Sequence, residues 1–423
     1  MQLKTLFNFA EKYKGYVYDR FELDRDACDG DVPRPTLRVH IRPAKRSKGL
    51  CSRCGEPGPT YDNLPVRSWE TVPLWGIVVL FLYAMRRIQC ARCGIIVEKV
   101  PWAPGKRRIT DSFAWFLAAW AKRMSWMEVA RAFHVSWDCV YNAVRMAVDY
   151  GLEHRRLDDV ETIGVDEVMW KRKKKRSFLT VVYALDEGRR RLLWCSPGRK
   201  QETFEAFFDW FGEHTAQLKA VASDMWQAYL NVIRERAPDA LNVLDRFHVV
   251  KNVQKAVDEV RAGEARTLEA AGKKLLKNKR WLLLKRPEKL SEKQKLALDE
   301  LLLKINLNTV RAYLLKEELQ QLWTHVSAVR ACLFLVDWCN RAKASKLKPM
   351  ARVAHTIDKH SSLILNWFFT GGAISSGAVE GFNNKLKVIT RRAYGFRTYD
   401  VTSTALYHSM GDLPTPPLRH SYL

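Results

Sequence analysis

The sequence lacks a long apolar run. Its longest, residues 76–85, is followed by Arg86 and Arg87 and is far shorter than the roughly 20 residues of a membrane-spanning helix. The opening residues, MQLKTLFNFAEKYKGY, have lysines among apolar residues and no small-residue cleavage site, which argues against a secretory signal. We therefore expect a cytoplasmic protein with no membrane partner.

Acidic residues are few relative to basic ones. The chain has 46 Asp and Glu against 71 Lys and Arg, which gives a formal net charge of +25. Such a balance attracts polyanions, of which nucleic acid is the most common. With 423 residues, 47% of them hydrophobic, the chain is long enough to bury more than one core. We expect a multidomain protein that binds nucleic acid.

The cysteines do not indicate a disulfide framework, because their number, nine, is odd. Two CxxC pairs, each followed by glycine, are formed by Cys51, Cys54, Cys90 and Cys93. Two tight turns of this kind can offer four thiolates to a tetrahedral Zn²⁺. We predict a structural zinc ribbon in an N-terminal module, residues 1–100, with a strand over residues 78–83. Two unrelated pairs or a redox pair are the alternatives. Residues 1–50 have no sharper assignment than a basic leader.

A helical period follows the basic linker of residues 101–108. Residues 124–151 have the pattern of two helices joined at His134–Ser136, with Ser136 as the cap of the second. The residues expected to face inward are Val129, Ala130, Phe133, Val140, Val144 and Ala147. We predict a helix-turn-helix DNA-binding domain over residues 101–155, whose second helix would enter a major groove. An ordinary helical hairpin is the alternative.

From residue 161 the pattern changes to strands: ETIGVDEVMW, SFLTVVYAL and RRLLWCS, then LKAVAS and LNVLD with helices between them. Asp166 lies on the first strand and Asp224 follows the fourth. In a mixed sheet these strands can be neighbours, which would bring the two carboxylates to one edge. Such crowding is costly unless a cation lies between them.

Two regions are rich in cations. The connection between the first two strands has six in a row, and we predict that it follows a phosphate backbone, a solvated hairpin tip being the alternative. Its residues are Lys171, Arg172, Lys173, Lys174, Lys175 and Arg176. Residues 249–370 are lysine-rich with a helical period, and we predict an all-α insertion domain there.

The stretch GGAISSGAVEGFNNKLKVITRRAYGFR, residues 371–397, has no proline and the period of a helix. One face would carry Glu380, Asn383, Lys387 and Arg391, and the other an apolar stripe of Val379, Phe382, Leu386 and Ile389. A lone acid among cations is typical of a site for a divalent ion and a phosphate. An amphipathic surface helix with ordinary ion pairs is the alternative.

Taken together, these segments resemble the DDE transposases of bacterial insertion sequences, of the ISL-three type. The matching stretches are CxxCG, RRIQCARC, IGVDE, SDMWQAY, DRFHVVK and ISSGAVEGFNNKLKVITRRAYGFR, in the family's order, from about residue 50 to about residue 410. The resemblance implies a multidomain α/β fold: a zinc ribbon, a helix-turn-helix and an RNase H-like mixed-sheet catalytic domain with an all-α insertion. The catalytic domain would comprise residues 156–248 and 371–423.

The resemblance assigns the catalytic, metal-binding roles to Asp166, Asp224 and Glu380, and matches Asp245 and His248 to a DxxH element. It implies two Mg²⁺ (or Mn²⁺) ions about 3.5–4 Å apart, and a DNA transposase that cleaves at its terminal inverted repeats and transfers the strand to target DNA. His248 would donate to the scissile phosphate, a buried histidine beside Phe247 being the alternative.

DNA contacts are expected from Asn383, Lys387, Arg391, Arg392 and Arg397, with Trp226 stacking on a distorted terminal base or else lying in the core. The expected partners are the element's ends, target DNA and a second copy, because paired ends are handled together; the expected location is the nucleoid. A DNA-binding regulator, an RNase H-like nuclease and a structural scaffold are the competing interpretations.

Overall fold

A computed structural model describes residues 3–29, 32–171, 177–285, 287–304, 306–370, 376–393 and 395–417. The chain divides into two compact units, residues 1–155 with 391–423, and residues 156–390. None of the helices in the described ranges combines the length and the apolar character needed to cross a membrane.

The first unit begins with a β-domain built on one long hairpin. Trp75 and Gly76 both have positive φ, the backbone of a tight two-residue hairpin turn. The elements are α1 (Leu3–Ala10), β1 (Tyr16–Asp24), β2 (Cys28–Asp29), β3 (Val32–Pro33), β4 (Thr36–Pro43), β5 (Gly49–Leu50), β6 (Pro57–Gly58), β7 (Thr60–Leu74), β8 (Ile77–Cys90) and β9 (Gly94–Val97). The main sheet has the order β1-β4-β8-β7, with β9 also paired to β8.

β1 and β4, from the region assigned only as a basic leader, form part of this sheet, which the sequence did not predict. β4 pairs with β8 in parallel and β1 pairs with β4 antiparallel. Their inward side chains join a core that includes Val39, Trp69, Phe81 and Trp102, all nearly inaccessible to solvent. The leader is therefore structural, because its apolar residues complete a core that the hairpin of β7 and β8 alone cannot close.

A buried ion pair holds the base of this hairpin. The guanidinium of Arg86 donates to Glu98, which also accepts from the hydroxyls of Tyr83 (2.6 Å) and Tyr16 (3.0 Å). Both charged side chains are buried. Arg86 lies on β8 and Glu98 follows β9, so this network ties the chain after β9 to β8. Breaking the pair would be costly, because the remaining partner would be an uncompensated buried charge.

Helices complete the first unit. They are α2 (Asp111–Ala121), α3 (Trp126–Ala132), α4 (Trp137–His154) and, from the end of the chain, α15 (Tyr399–Met410). Ser136 caps α4, as predicted, and Ser125 and Glu128 form a capping box on α3 that was not predicted. The predicted inward residues of α3 and α4 are buried, except that Phe133 is half-buried. Residues 391–423, which include α15, belong to this first unit.

The second unit is built on a mixed five-stranded sheet of order β12-β11-β10-β13-β14. Its elements are β10 (Thr162–Lys171), β11 (Ser177–Ala184), β12 (Arg191–Pro197), α5 (Gln201–Phe211), β13 (Ala220–Ser223), α6 (Gln227–Arg236) and β14 (Leu241–Leu244). β10, β11 and β12 run antiparallel, and β10, β13 and β14 run parallel. The five predicted strands are confirmed. Phenylalanines of α5 pack into the core beneath the sheet.

A helical region follows β14, as predicted. It consists of α7 (Arg246–Ala270), α8 (Arg280–Leu284), α9 (Glu292–Leu302), α10 (Asn308–Gln320), α11 (Ala328–Ala344), α12 (Lys348–Lys359) and α13 (Ser361–Phe369), with short 3₁₀ turns between some of them. Trp338 and Met350 are fully buried at its centre. Asn366 donates to the carbonyl of Asn242 (2.8 Å), which connects α13 to β14.

The last helix of this unit, α14 (Ser376–Arg392), returns to the sheet. Val379, Leu386 and Ile389 of the predicted apolar stripe are buried, and Phe382 is half-buried. The helix approaches β10 at Gly164, where an added Cβ would lie 2.9 Å from both Val379 Cγ2 and Leu185 Cδ1. Glycine is therefore required by this close approach.

We expect Gly164→Ala to displace α14, with a loss of about 1–3 kcal/mol because the added methyl overpacks the contact. Hydrogen exchange of peptides from α14, followed by mass spectrometry, would show faster exchange in this variant. Gly381→Ala is the matched control, because an added Cβ there meets nothing within 4 Å and alanine favours a helix. Equal protection in both variants would contradict the close approach.

Candidate active site

Strand register places three aspartates at one edge of the second unit's sheet. Gly164 of β10 is in register with Ala222 of β13, so Asp166 and Asp224 each follow two residues later on parallel neighbours. Ser223 is paired with Leu244 of β14, and Asp245 follows at once. The carboxyl ends of parallel strands share an edge, which is where α/β sheets bind ligands.

Asp166 is held by two hydrogen bonds within the protein. Its Oδ1 accepts from the backbone N–H of Glu167 (2.7 Å), and its Oδ2 accepts from the side-chain amide of Asn383 on α14. The Asn383 Oδ1 in turn accepts from the hydroxyl of Tyr183 on β11 (3.1 Å). These bonds orient the carboxylate from both sides.

Asn383 lies in a different place from the one predicted. It is only 9% exposed, and both ends of its amide are bonded inside the protein. It therefore faces β10 and β11 instead of sharing the exposed face of Glu380 and Lys387, because α14 docks on the sheet through this side. The amide of Asn383 thus connects Asp166 to Tyr183 inside the protein.

Tyr183 was not predicted as a site residue. Its ring stacks on Phe382 of α14, with centroids 4.7 Å apart and planes 10° apart. Burial, and then the charge of Asp166, raise the pKa of Tyr183 well above its ordinary value, so its hydroxyl remains a donor. A tyrosine at the end of an otherwise apolar strand was the available signal, since a buried hydroxyl requires a partner.

The other two aspartates are crowded and partly desolvated. Burial, opposed by a bond from the Trp226 N–H (2.9 Å), raises the pKa of Asp224, with a further contribution from Asp166. Burial raises the pKa of Asp245 to about 6, and the charges of Asp166 and Glu380 add to it. A nearby positive charge would therefore stabilise the ionised form of each carboxylate.

Glu380 lies on the exposed face of α14, one turn before Asn383. Because Asn383 bonds to Asp166, the turn of α14 that carries Glu380 lies next to this edge. Among the described residues, these acids are not gathered closely enough to form a ready-made metal-binding group, unlike the cysteine set described below. The donors nevertheless fit a divalent cation, because Mg²⁺ prefers carboxylate oxygens and the crowded charges require compensation.

Two further groups face this edge. His248, on the first turn of α7, is half-buried and lowers the pKa values of Asp224 and Asp245. Glu167 has different neighbours from Asp166: its carboxylate lies 4.0 Å from the guanidinium of Arg199, and Tyr229 is beside it. Burial, Asp224 and Asp166 raise the pKa of Glu167 to about 7, against the opposing charge of Arg199.

The predicted DNA contacts are placed as follows. Trp226 is 36% exposed and packs edge-on against Tyr229. Lys387, Arg391 and Arg397 are exposed, and Arg392 donates to the carbonyl of Arg123 (3.1 Å). The side chain of Lys171 and residues 172–176 lie outside the described residues, so the predicted cationic tip has no structural account.

The four predicted zinc ligands meet in the first unit. The sulfur atoms of Cys51, Cys54, Cys90 and Cys93 all lie within 4.8 Å of one another. Cys51 follows β5 and Cys90 ends β8, and the glycine after each pair, Gly55 and Gly94, has positive φ. Bonds from the Cys54 and Arg53 N–H groups lower the pKa of Cys51 to about 6. Such a set is compatible with tetrahedral zinc.

Comparison with known proteins agrees with this architecture. A family model described as a transposase matches residues 163–405, and one for the helix-turn-helix domain of transposase family ISL3 matches residues 98–148. The predicted helix-turn-helix is confirmed.

Two relatives extend the likeness over most of the chain. The transposase for insertion sequence element IS1001 of Bordetella parapertussis is 30% identical over 390 residues, which is 91% of this chain and 93% of the relative. The transposase for insertion sequence element IS1557 of Mycobacterium tuberculosis (strain H37Rv) is 31% identical over 441 residues, which covers 97% of this chain and 96% of the relative. The chain therefore belongs to the ISL3-type family of DDE transposases.

Proposed function

We propose that this transposase binds the terminal inverted repeats of its insertion sequence and catalyses Mg²⁺-dependent cleavage and strand transfer on an RNase H-like domain. The observation that carries the proposal is the shared register of β10 and β13, which brings Asp166 and Asp224 to one sheet edge beside the helix of Glu380. The sheet supports an RNase H-like assignment because three antiparallel strands are followed by two parallel ones.

Asp166, Asp224 and Glu380 would hold two Mg²⁺ or Mn²⁺ ions. When bound, such ions activate the attacking oxygen and stabilise the leaving oxygen. Asn383 and the Glu167 N–H orient Asp166 for this role. Asp245 supplies additional negative charge at the edge, and His248 donates to the scissile phosphate when protonated.

DNA would be held by the helix-turn-helix and by cations along α14 and after it. Lys387, Arg391, Arg392 and Arg397 would contact the backbone, Trp226 would stack on a distorted terminal base, and the cationic tip would follow the phosphates. The Cys51–Cys93 set would hold a structural Zn²⁺. Paired ends require two copies, so we propose a homodimer on DNA.

The proposal is tested with a duplex carrying the element's end, in Mg²⁺ and in EDTA. We expect nicking in Mg²⁺ only. The nicking rate should fall by more than about 100-fold in Asp166→Ala and Glu380→Gln, because loss of a metal ligand should lower activity more than loss of a group that merely supports a ligand. Glu187→Gln, an exposed acid in the turn after β11, should cleave normally. Wild-type rates in Asp166→Ala would refute the metal site, and specific binding without nicking would indicate a regulator.

Asn383→Ala should lower the nicking rate by about 10–100-fold, because Asp166 loses the donor that orients it. The variant should also require more Mg²⁺ for half-maximal rate, while its affinity for the duplex stays the same. Asn384→Ala is the matched control, since Asn384 is the exposed neighbour on α14. A loss of DNA affinity with an unchanged Mg²⁺ requirement would restore the DNA-contact role.

The four cysteines should bind one Zn²⁺ per chain, as measured by elemental analysis of the purified protein. Cys90→Ser should lose the metal and the affinity for the element's end, because metal binding and folding of such a module are coupled. Cys28→Ser, which alters an exposed cysteine outside the set, should retain both. Full end binding without zinc would rule out the structural role.

A further inference from the structure

An apolar stripe on α11 faces solvent. Val329 is 70%, Leu333 68% and Val336 49% exposed, at positions i, i+4 and i+7, which follow one side of a helix. The opposite side of α11 is packed into the core of the helical region through Leu335 and Trp338. The helix is thus apolar on both sides.

This stripe is unlike the other exposed apolar residues of the helical region. Val326, two residues before α11 begins, is 93% exposed, and exposed Cys332 borders the stripe. Leu303, at the end of α9, and Leu296, two turns before it, are also exposed, at 81% and 65%, but the acids Asp299 and Glu300 lie between them. Single exposed leucines are ordinary, whereas a contiguous apolar strip on a soluble protein marks an interaction surface.

The charges beside the stripe are self-complementary. Arg330 and Asp337, seven residues and therefore about two turns apart, border the stripe on the same flank, opposite Cys332. Within the described part of the chain, the Arg330 side chain has no ion-pair partner. Asp337 pairs with Arg341 but keeps 64% of its side chain exposed.

We propose that α11 is an isologous interface between two copies of this chain, with the two α11 helices antiparallel. A two-fold axis perpendicular to the helix at Leu333 brings the same flank of both copies together. It sets each Arg330 beside Asp337 of the second copy, Val329 near Val336, and Leu333 against Leu333. A parallel pair would oppose unlike flanks and leave Arg330 without an ion-pair partner, so the charge pattern selects the antiparallel arrangement.

The interface rests on the proposed function, in which two copies handle paired ends. It adds which surface joins them: the exposed side of α11 in the helical region. Desolvating three aliphatic side chains from each copy supplies the attraction, and the two symmetry-related charge pairs supply the orientation.

The mass of the full-length protein, measured by sedimentation over a range of concentrations, tests the surface. We expect a dimer, and at least a tenfold rise in its dissociation constant in Leu333→Glu. Leu303→Glu is the matched control and should not change the dissociation constant. Arg330→Glu and Asp337→Arg should each weaken the dimer, and the double variant should recover it. That recovery keeps the test valid if one substitution harms folding.

Cross-linking tests the antiparallel geometry directly. In a Cys28→Ser background, a short bis-maleimide should join the two Cys332 side chains, which lie near the two-fold axis, and Cys332→Ser should abolish the covalent dimer. A monomer at all concentrations, or a dimer indifferent to Leu333→Glu and not joined at Cys332, would overturn the interface. End nicking is measured separately. If the protein nicks the element's end but does not dimerise through α11, the proposed function stands and only the interface is refuted. If Cys332 cross-links the dimer but the protein does not nick, only the proposed function is refuted.

Discussion

The close approach of α14 to β10 is the constraint on which the candidate site depends. Gly164 has no side chain where Val379 packs, and Tyr183 stacks on Phe382 beside it. Those contacts bring the Asn383 amide to Asp166, and they place Glu380 near the same sheet edge. Because the packing is on the apolar side of α14, the helix can present an acid and several cations on its other side without loss of stability.

The sheet edge concentrates negative charge, which His248 and Lys251 offset only in part. Asp224 and Asp245 sit at the ends of neighbouring parallel strands, and partial burial together with Asp166 raises the pKa of both. Keeping such groups together costs folding free energy. A site that holds divalent cations accounts for this cost, since the ions stabilise the charged forms that the apo protein disfavours.

The first unit combines two modules with different origins of stability. The cysteine set is built from tight turns, with glycine where φ is positive, and is completed by a metal in our proposal. The β-domain around it depends on an aromatic core and on the buried pair of Arg86 and Glu98. The helix-turn-helix that follows is held by caps and by apolar contacts between its helices.

Local signals in the sequence determined much of this protein. Cysteine spacing, the cap at Ser136, strand alternation around Asp166 and the apolar period of α14 act over a few residues, so they can be read without the fold. The place of β1 and β4 in the main sheet could not be read from the sequence, because it depends on pairing β4 with distant β8. The burial of Asn383 and the role of Tyr183 could not be read from it either, since helical period places Asn383 near the boundary between the two faces of α14. Only the docking of that helix on β10 and β11 turned its amide inward, where a buried polar group must find partners.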